Sequence, residues 1–328
     1  MFQNSGHQSK GERPVKNPAG RILTLYPYRE VAHMKPALTF IGAGRVGTSL
    51  AILFKKAGYP VLGIASRTAS SAEQAGALAG VPVLTAEEAC RKTDILFITT
   101  SDREIPRVVA QLSSDRCFNR GQIIVHTSGA HSSALLAPAH AFGCRLLSFH
   151  PLQSFSPPSL ALVNLRGTVF TLEGDATVMD IARQLVRDLR GEPVIIQAEQ
   201  KVLYHAGACV ASNYVVAVFH LAISLLQAAG FSPETARRAL LPLLTGTTAN
   251  LQKTLPAQAL TGPIARGDIS TLSAHFSSLN AQCPEFLAVY HQLALYTIQV
   301  AGEKGTLDAE QLEKLKELCS PLSADQTL

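Results

Sequence analysis

The stretch Ala37-Leu-Thr-Phe-Ile-Gly42-Ala43-Gly44-Arg45-Val46-Gly47 constrains this chain more than any other. A short apolar run leads into glycines spaced Gly42-x-Gly44-x-x-Gly47, and an apolar helical pattern from Thr48 to Lys56 follows directly. In such a strand–turn–helix unit each glycine has a task. Gly42 permits the tight turn, Gly44 lets backbone approach a pyrophosphate, and Gly47 lets the helix pack closely on the strand. The free N–H groups and positive end of the new helix then face anionic phosphate. Glycines at this spacing also punctuate ordinary turns. The flanking strand and helix are what turn the spacing into a prediction of dinucleotide binding through Gly42, Ala43, Gly44, Arg45, Val46 and Gly47.

The next strand, predicted over 61–65, sharpens the cofactor. An NAD enzyme places Asp or Glu about 20 residues beyond the glycine turn, on the ribose 2′-hydroxyl. No acidic residue lies between Gly42 and Thr68; Ser66, Arg67 and Thr68 stand there instead. Two hydroxyls and a guanidinium fork suit a 2′-phosphate, so the sequence favours NADP(H) over NAD(H). The competing reading is a solvated arginine beside a Ser/Thr helix cap.

At 328 residues the chain exceeds the usual size of one core, which points to two domains. A 47% hydrophobic content supports sizeable cores, and 16% charged residues argue against disorder. The net charge of +5 is modest, and no Lys/Arg run, zinc-finger spacing or RNA-binding aromatic motif supports a nucleic-acid partner. Cys90, Cys117, Cys144, Cys209, Cys283 and Cys319 are scattered without a CxxC pair, which reads as reduced thiols in a cytoplasmic protein. The ten histidines show no metal-ligand spacing, so no metal is expected. A Ser-His-Asp triad would need a GxSxG elbow, which is missing.

Residues 1–33 are polar and basic, lack the apolar core of a secretory signal, and read as a disordered extension. From residue 34 to 197 the pattern alternates strand and helix, the mark of a mainly parallel sheet. Strands are predicted over 38–41, 61–65, 81–84, 95–99, 122–126, 146–149, 168–172 and 193–197. Helices are predicted over 70–79, 87–92, 105–112, 132–142 and 176–189. From 198 to 328 the pattern is all helical. Its first segment, 199–229, is long and apolar enough that a membrane span must be weighed. Lys201, His205, Ser212, Asn213, His220 and Gln227 interrupt it, so we read it as a buried central helix and expect no membrane partner. The fold class predicted is α/β, a Rossmann-type mainly parallel sheet domain followed by an all-helical C-terminal domain.

Four stretches carry a resemblance: His126-Thr-Ser-Gly-Ala130, Phe149-His-Pro-Leu152, Lys201-x-x-Tyr-His-Ala206 through Asn213, and Leu260-Thr-Gly-Pro-Ile-Ala-Arg-Gly-Asp268. With the NADP-type glycine turn and the long helix, they resemble a bacterial family of Rossmann-like proteins with a C-terminal domain of unknown function. That family is similar to the 6-phosphogluconate dehydrogenase-like superfamily, which includes β-hydroxyacid dehydrogenases, ketopantoate reductases and pyrroline-5-carboxylate reductases. The resemblance covers most of the chain, from about Lys35 to Cys319. It implies an NADP-dependent oxidoreductase, and a homodimer formed through the helical domain.

The candidate chemistry lies on the long helix. Lys201 and His205 are one turn apart, and Ser212 continues that face at ~100° per residue, whereas Asn213 falls about 120° away. By resemblance, Lys201 matches the lysine that gives or takes the proton in β-hydroxyacid dehydrogenases, and His205 replaces an asparagine there. The bland alternative is a surface lysine and a core histidine. Thr99-Thr100-Ser101 and His126-Thr-Ser128-Gly129 follow predicted strands at their carboxyl ends, where open α/β sheets bind ligands. Thr99, Thr100, Ser101 and Ser128 are candidate cofactor contacts, and Ser128 and Gly129 candidate substrate contacts; helix capping is the competing role. His150 is expected just beyond its strand, closing the pocket, and Arg266 is a candidate carboxylate clamp or a loop anchor. The expected partner is a small acidic molecule. Two functions remain open at this point: an NADP(H)-dependent reductase of a small carbonyl or imine acid with Lys201 as proton donor, and a nonenzymatic NADP(H)-binding regulatory protein.

Overall fold

The structure, a computed structural model, describes residues 35–155 and 165–319; the extension expected over 1–33 lies outside them. The chain divides into one unit ending at Lys201 and another beginning at Val202.

The first unit is built on a sheet of β1 (Leu38–Ile41), β2 (Val61–Ala65), β3 (Ile95–Ile98), β4 (Ile123–His126), β5 (Arg145–Pro151), β6 (Val169–Gly174) and β7 (Glu192–Ile195). Their order is β2-β1-β3-β4-β5-β6-β7, parallel throughout except that β5 and β6 run antiparallel. Around it lie α1 (Arg45–Lys56), α2 (Ala69–Ala79), α3 (Ala86–Arg91), α4 (Ile105–Ser114), a 3-10 helix (Ser133–Phe142) and α5 (Met179–Asp188). Alternate side chains of each strand face opposite layers. Leu38, Phe40, Ile95, Phe97 and Phe149 turn towards α1, α2 and α5. Ile41, Leu96, Ile98 and Ile124 turn towards α3, α4 and the 3-10 helix. Both faces are therefore covered, as a largely parallel sheet requires. Phe97 meets Phe40 at 5.0 Å and Phe149 at 5.7 Å, and Phe149 meets Phe170 at 5.1 Å. Burying each such ring contributes about 1.5–3 kcal/mol.

Three local expectations are corrected. Residues 81–84 form no strand; Val83 makes a single bridge to Ile64, and Pro82 beside it has no N–H for a longer ladder. The helix predicted over 132–142 is a 3-10 helix, with Pro138 inside it, a position where an N–H donor is lost. His150 lies within β5 rather than beyond it. Antiparallel pairing with β6 carries the strand on, with His150 opposite Thr171 and Pro151 opposite Phe170.

The long apolar segment is helical over Ala198–Ala228, here α6, interrupted by a π-helical turn at Val210–Tyr214. In the second unit it is followed by α7 (Pro233–Leu251), α8 (Pro256–Ala259), α9 (Ile269–Gln282), α10 (Leu287–Lys304) and α11 (Ala309–Cys319). Ser232 and Asp268 cap α7 and α9 by accepting from the backbone N–H groups of Thr235 and Thr271. The core of this unit comes from α9 to α11, through Leu272, Phe276, Ile298, Ala301 and Leu315. The expectation of a buried α6 is not met: none of its most apolar 18-residue stretch is buried in the single chain. Val202, Leu203 and Val216 are among its exposed side chains. The helical core gathers elsewhere, and α6 is long enough to outrun its neighbour α7.

The tightest point of the first unit is the crossing of β1, α1 and β3. Gly42 has φ 120°, and a Cβ on Gly47 would run into Gly42 O and the Thr99 side chain. Gly47→Ala is expected to lower unfolding stability by about 1–3 kcal/mol, read as a loss in chemical-denaturation free energy; an unchanged value would show that the crossing has slack.

Candidate active site

The crossing shapes one end of a cleft. β1 ends at Ile41, the chain turns through Gly42-Ala43-Gly44, and α1 begins at Arg45 with Gly44 as its N-cap and no side-chain cap. β1 stands between β2 and β3, where the crossovers reverse direction, and such switch points open ligand crevices at the carboxyl ends of strands. Here the crevice is a cleft of about 670 Å³ lined by Gly42, Ala43, Gly44, Ser66, Arg67, Thr68 and Thr99 to Ser101, among others. Its chemistry fits a dinucleotide on three grounds. A Cβ on Gly44 would enter open space, so the protein leaves the approach to the α1 N-terminus clear. The uncapped first turn offers its N–H groups to an anion. The Thr100 hydroxyl is buried without a hydrogen-bond partner, an acceptor and donor that a ligand would satisfy. Thr99 is occupied internally, its hydroxyl donating to Gly42 O at 2.8 Å. Ser101 is exposed and opens the 3-10 turn Asp102–Glu104. The Arg45 guanidinium turns away to donate to Phe155 O at 3.2 Å.

At the β2 end of the cleft the Arg67 side chain is 88% exposed and 3.9 Å from Glu104. Glu104 also meets Arg107 at 3.2 Å and Arg103 at 3.8 Å, so three guanidinium groups share one carboxylate on the cleft wall. Ion pairs made by such exposed arginines are worth little, and a phosphate would readily take over Arg67 or Arg107.

Two strands along the same sheet edge, roughly 10 Å away, lies a different environment. His126, Ser148 and Glu173 are in register with one another across β4, β5 and β6, forming a polar row, and all three are buried. Lys201, only 1% exposed, donates from Nζ to Ser148 Oγ at 2.6 Å and to Ser128 O at 3.2 Å. Burial pulls its pKa down to about 8, while the charges of Glu173 and Asp102 oppose that shift. His126 accepts from Ser128 N–H at Nδ1 (3.1 Å), which places its proton on Nε2, 2.9 Å from Ser132 O. Burial pushes His126 down to about 4, so it stays neutral and locks the loop. Ser128 Oγ accepts from His131 N–H, the turn-capping role, while its carbonyl meets Lys201. Glu173 accepts from both Ser133 N–H (2.6 Å) and Ser133 Oγ–H (2.9 Å).

Of the residues singled out in the sequence, the first unit thus gathers the glycine turn, Ser66 to Thr68 and Thr99 to Ser101 around the cleft, and brings Lys201 against Ser128. Gly129 follows Ser128 in the same buried turn. His150 is half-buried within β5. In the second unit, His205 sits one turn after Lys201 on α6 with Cys209 Sγ 3.8 Å from its Nδ1. Arg266 ends a 3-10 turn, Ile264–Arg266. The π-helical turn alters the face expected for Ser212. A π turn accommodates one extra residue, so side chains lag by up to one α-helical step of ~100° across it. Asn213 is thereby rotated back towards the Lys201–His205–Cys209 stripe, and Ser212 moves to its flank.

Residues 28–151 match the Rossmann-like domain model, and residues 168–297 match the family described as domain of unknown function DUF2520. The chain is a Rossmann-like protein with a DUF2520 domain. Among curated proteins none matches it. Among solved structures, protein TM1727 from Thermotoga maritima is 26% identical, with a TM-score of 0.65 over 82% of this chain and 99% of that one. BF3122 from Bacteroides fragilis, a candidate NADP oxidoreductase, is 21% identical with a TM-score of 0.62 over 79% and 96%. A reductive aminase from Aspergillus terreus, solved with NADPH and ethyl-5-oxohexanoate, is 21% identical with a TM-score of 0.54 over 87% and 92%. Pyrroline-5-carboxylate reductases and imine reductases share the fold as well.

Several residues of the Rossmann-like unit were not singled out from the sequence. Glu104 and Arg107 reach the cleft from the turn and helix after β3, far in sequence from the β2 loop they face. Ser148 and Glu173 sit inside strands, and only pairing brings them beside His126. Glu173 did carry a signal: it is the one acid within the apolar run Val169-Phe-Thr-Leu-Glu-Gly174, and a lone acid on a core strand requires a partner.

Proposed function

We propose that this protein is an NADP(H)-dependent oxidoreductase that reduces a small carbonyl or imine acid, with Lys201 as proton donor. The observation that carries this reading is the placement of the Lys201 amine: buried, hydrogen-bonded to Ser128 O, and at the same sheet edge as the glycine turn. A lysine with a surface role would not be desolvated, and a pKa of about 8 suits a group that must release a proton near neutral pH. The fold shared with pyrroline-5-carboxylate reductases, imine reductases and a reductive aminase supports the reaction class.

The glycine turn and α1 N-terminus hold the pyrophosphate, Arg67 with Ser66 and Thr68 the 2′-phosphate, and Thr100 an oxygen in the cleft. When bound, the reduced nicotinamide supplies hydride to the substrate carbon. Lys201 has three N–H bonds; two are donated to Ser148 Oγ and Ser128 O, and the third passes its proton to the developing oxyanion or amine nitrogen. The amine left behind keeps its partners and its place. An imine that arrives already protonated asks less of Lys201, so we expect the acid to matter most for carbonyl substrates. His205 assists from the next turn, and Gly129, His150, Ser212 and Arg266 remain proposed substrate contacts.

A second copy of this chain is the cover we propose for the exposed apolar side chains of α6, giving a homodimer. Such a patch is costly to leave in water. With all six cysteines free, we assign the protein to the cytoplasm, which cell fractionation tests.

NADPH is expected to bind at least ~10-fold more tightly than NADH, because the charge-assisted contact to a 2′-phosphate is worth roughly 1.5–3 kcal/mol. Titration of both cofactors against wild type and Arg67→Ala checks this; equal affinities in wild type, or a preference untouched by the substitution, would reject the assignment of the β2 loop. Across a panel of 2-keto, 3-keto and cyclic imine acids, at least one should show saturable NADPH oxidation, and Lys201→Ala should then lower turnover roughly 10²–10⁴-fold with NADPH affinity nearly unchanged. NADPH binding without turnover on any of them would favour the nonenzymatic, regulatory reading. Light scattering at micromolar concentration should return twice the 35.0 kDa chain mass; a monomer there sinks the dimer.

A further inference from the structure

The polar row across β4, β5 and β6 does more than seat one lysine. A sheet position that faces a packed layer is normally apolar, and every polar group placed there needs a partner. His126, Ser148 and Glu173 occupy successive partners of one cross-strand row, with Cβ atoms of neighbours about 5 Å apart. Lys201 reaches the middle member, Ser148, at 2.6 Å. The row therefore sets a buried cation beside a buried acid with one hydroxyl between them. Both oxygens of that acid are already held, Oε2 by Ser133 N–H and Oε1 by the Ser133 hydroxyl, so its direction is fixed and it has no freedom to swing out to water.

We infer that Glu173 is a positioning residue for the proposed reduction: through the Ser148 row it supplies the fixed negative charge that keeps Lys201 in its acid form. The inference rests on the reading of Lys201 as proton donor. Three charged or titratable groups face Lys201, and each comes from a different element. His126, from β4, is kept neutral by its burial and adds no charge. Asp102, from the 3-10 turn after β3, is 46% exposed and lies 4.0 Å from His131, so water and a neighbouring ring weaken its field. Glu173, from β6, is 9% exposed, and its charge acts through protein rather than solvent. Of the two acids, Glu173 is the stronger influence on Lys201. The same carboxylate ties down Ser133 and with it the end of the 126–133 loop, whose Ser128 carbonyl is the other partner of Lys201. Glu173 thus governs both the charge and the placement of the amine without touching substrate.

The decisive substitution is Glu173→Gln. The glutamine carbonyl still accepts from Ser133 N–H and its amide still engages the Ser133 hydroxyl, so shape is kept and charge is removed. Lysine labelled with carbon-13 at Cε, followed by two-dimensional NMR across pH 6 to 11 on the full-length protein, reads the Lys201 midpoint directly; the resonance is assigned by its disappearance in Lys201→Met. The expected result is a midpoint about one unit lower in Glu173→Gln, a tenfold weaker hold on the proton. An unchanged midpoint in the folded variant overturns the inference and leaves Glu173 as a loop anchor only. Should Glu173→Gln not fold, Glu173→Asp keeps the charge but draws it back by one methylene, and must lower the midpoint by a smaller amount; an unmoved midpoint there overturns the inference equally. Since the titration needs neither substrate nor cofactor, its outcome is separable from the search for turnover. When a substrate is in hand, the alkaline limb of the rate profile should move down with the midpoint in Glu173→Gln, whereas a merely structural role would lower the rate at every pH alike.

Discussion

Everything in the Rossmann-like unit depends on how closely α1 crosses β1 and β3. Gly42, Gly47 and Thr99 meet there with no space for another carbon, and the Thr99 hydroxyl donates to Gly42 O across the junction. That proximity aims the first turn of α1 at the carboxyl ends of the strands. It also places the turn at the point where strand order reverses, with β2 on one side of β1 and β3 on the other. A cleft opens because neighbouring crossovers leave in opposite directions. The same glycines that make the packing possible leave the cleft lined by backbone, which is what a phosphate needs.

A second constraint comes from charge. Bringing an ammonium group out of water is expensive unless other polar groups replace the solvent. Here one strand hydroxyl, Ser148 Oγ, and one loop carbonyl, Ser128 O, take the hydrogen bonds of the ammonium, while the main packing clusters on the two faces of the sheet are aliphatic and aromatic. Structures built only for stability have little use for a polar row such as His126, Ser148 and Glu173, since an apolar set of equal volume packs without hydrogen-bond obligations. Its position at the carboxyl ends of the strands, beside an amine whose pKa burial lowers to about 8, is what our proposal of a chemical role for the row rests on. The β2 end of the cleft differs in kind: Arg67 and Arg107 are exposed around a half-buried Glu104, an exchangeable set suited to recognition rather than reaction.

Helix α6 obeys a third rule. Its composition is that of a core or membrane helix, yet its apolar stretch is uncovered in the single chain. The π-helical turn in its middle, Val210–Tyr214, re-phases the helix by most of a residue. Such a turn offsets the regular 3.6-residue pattern, so the face that continues Lys201 and His205 is not the one an ideal helix would present.

Most of the strand and helix order, the glycine turn, the lack of an acid after β2 and the apolar length of α6 were readable in the sequence, because each rests on local periodicity or on the stereochemistry of a few adjacent residues; the strand expected over 81–84 was not there to be found. Lys201 and the His126–Gly129 loop could be named from their pattern, but not their meeting. Contacts across 73 and 53 residues, from Lys201 to Ser128 and Ser148, exist only once β4 and β5 pair. Likewise Glu173 faces Ser148 because β6 turns antiparallel to β5, and the same pairing draws His150 into the strand. Secondary structure follows from short-range sterics and hydrophobic period, whereas register, burial and the charge around a buried amine are properties of strands brought together from distant parts of the chain. Those were decided by the tertiary structure alone.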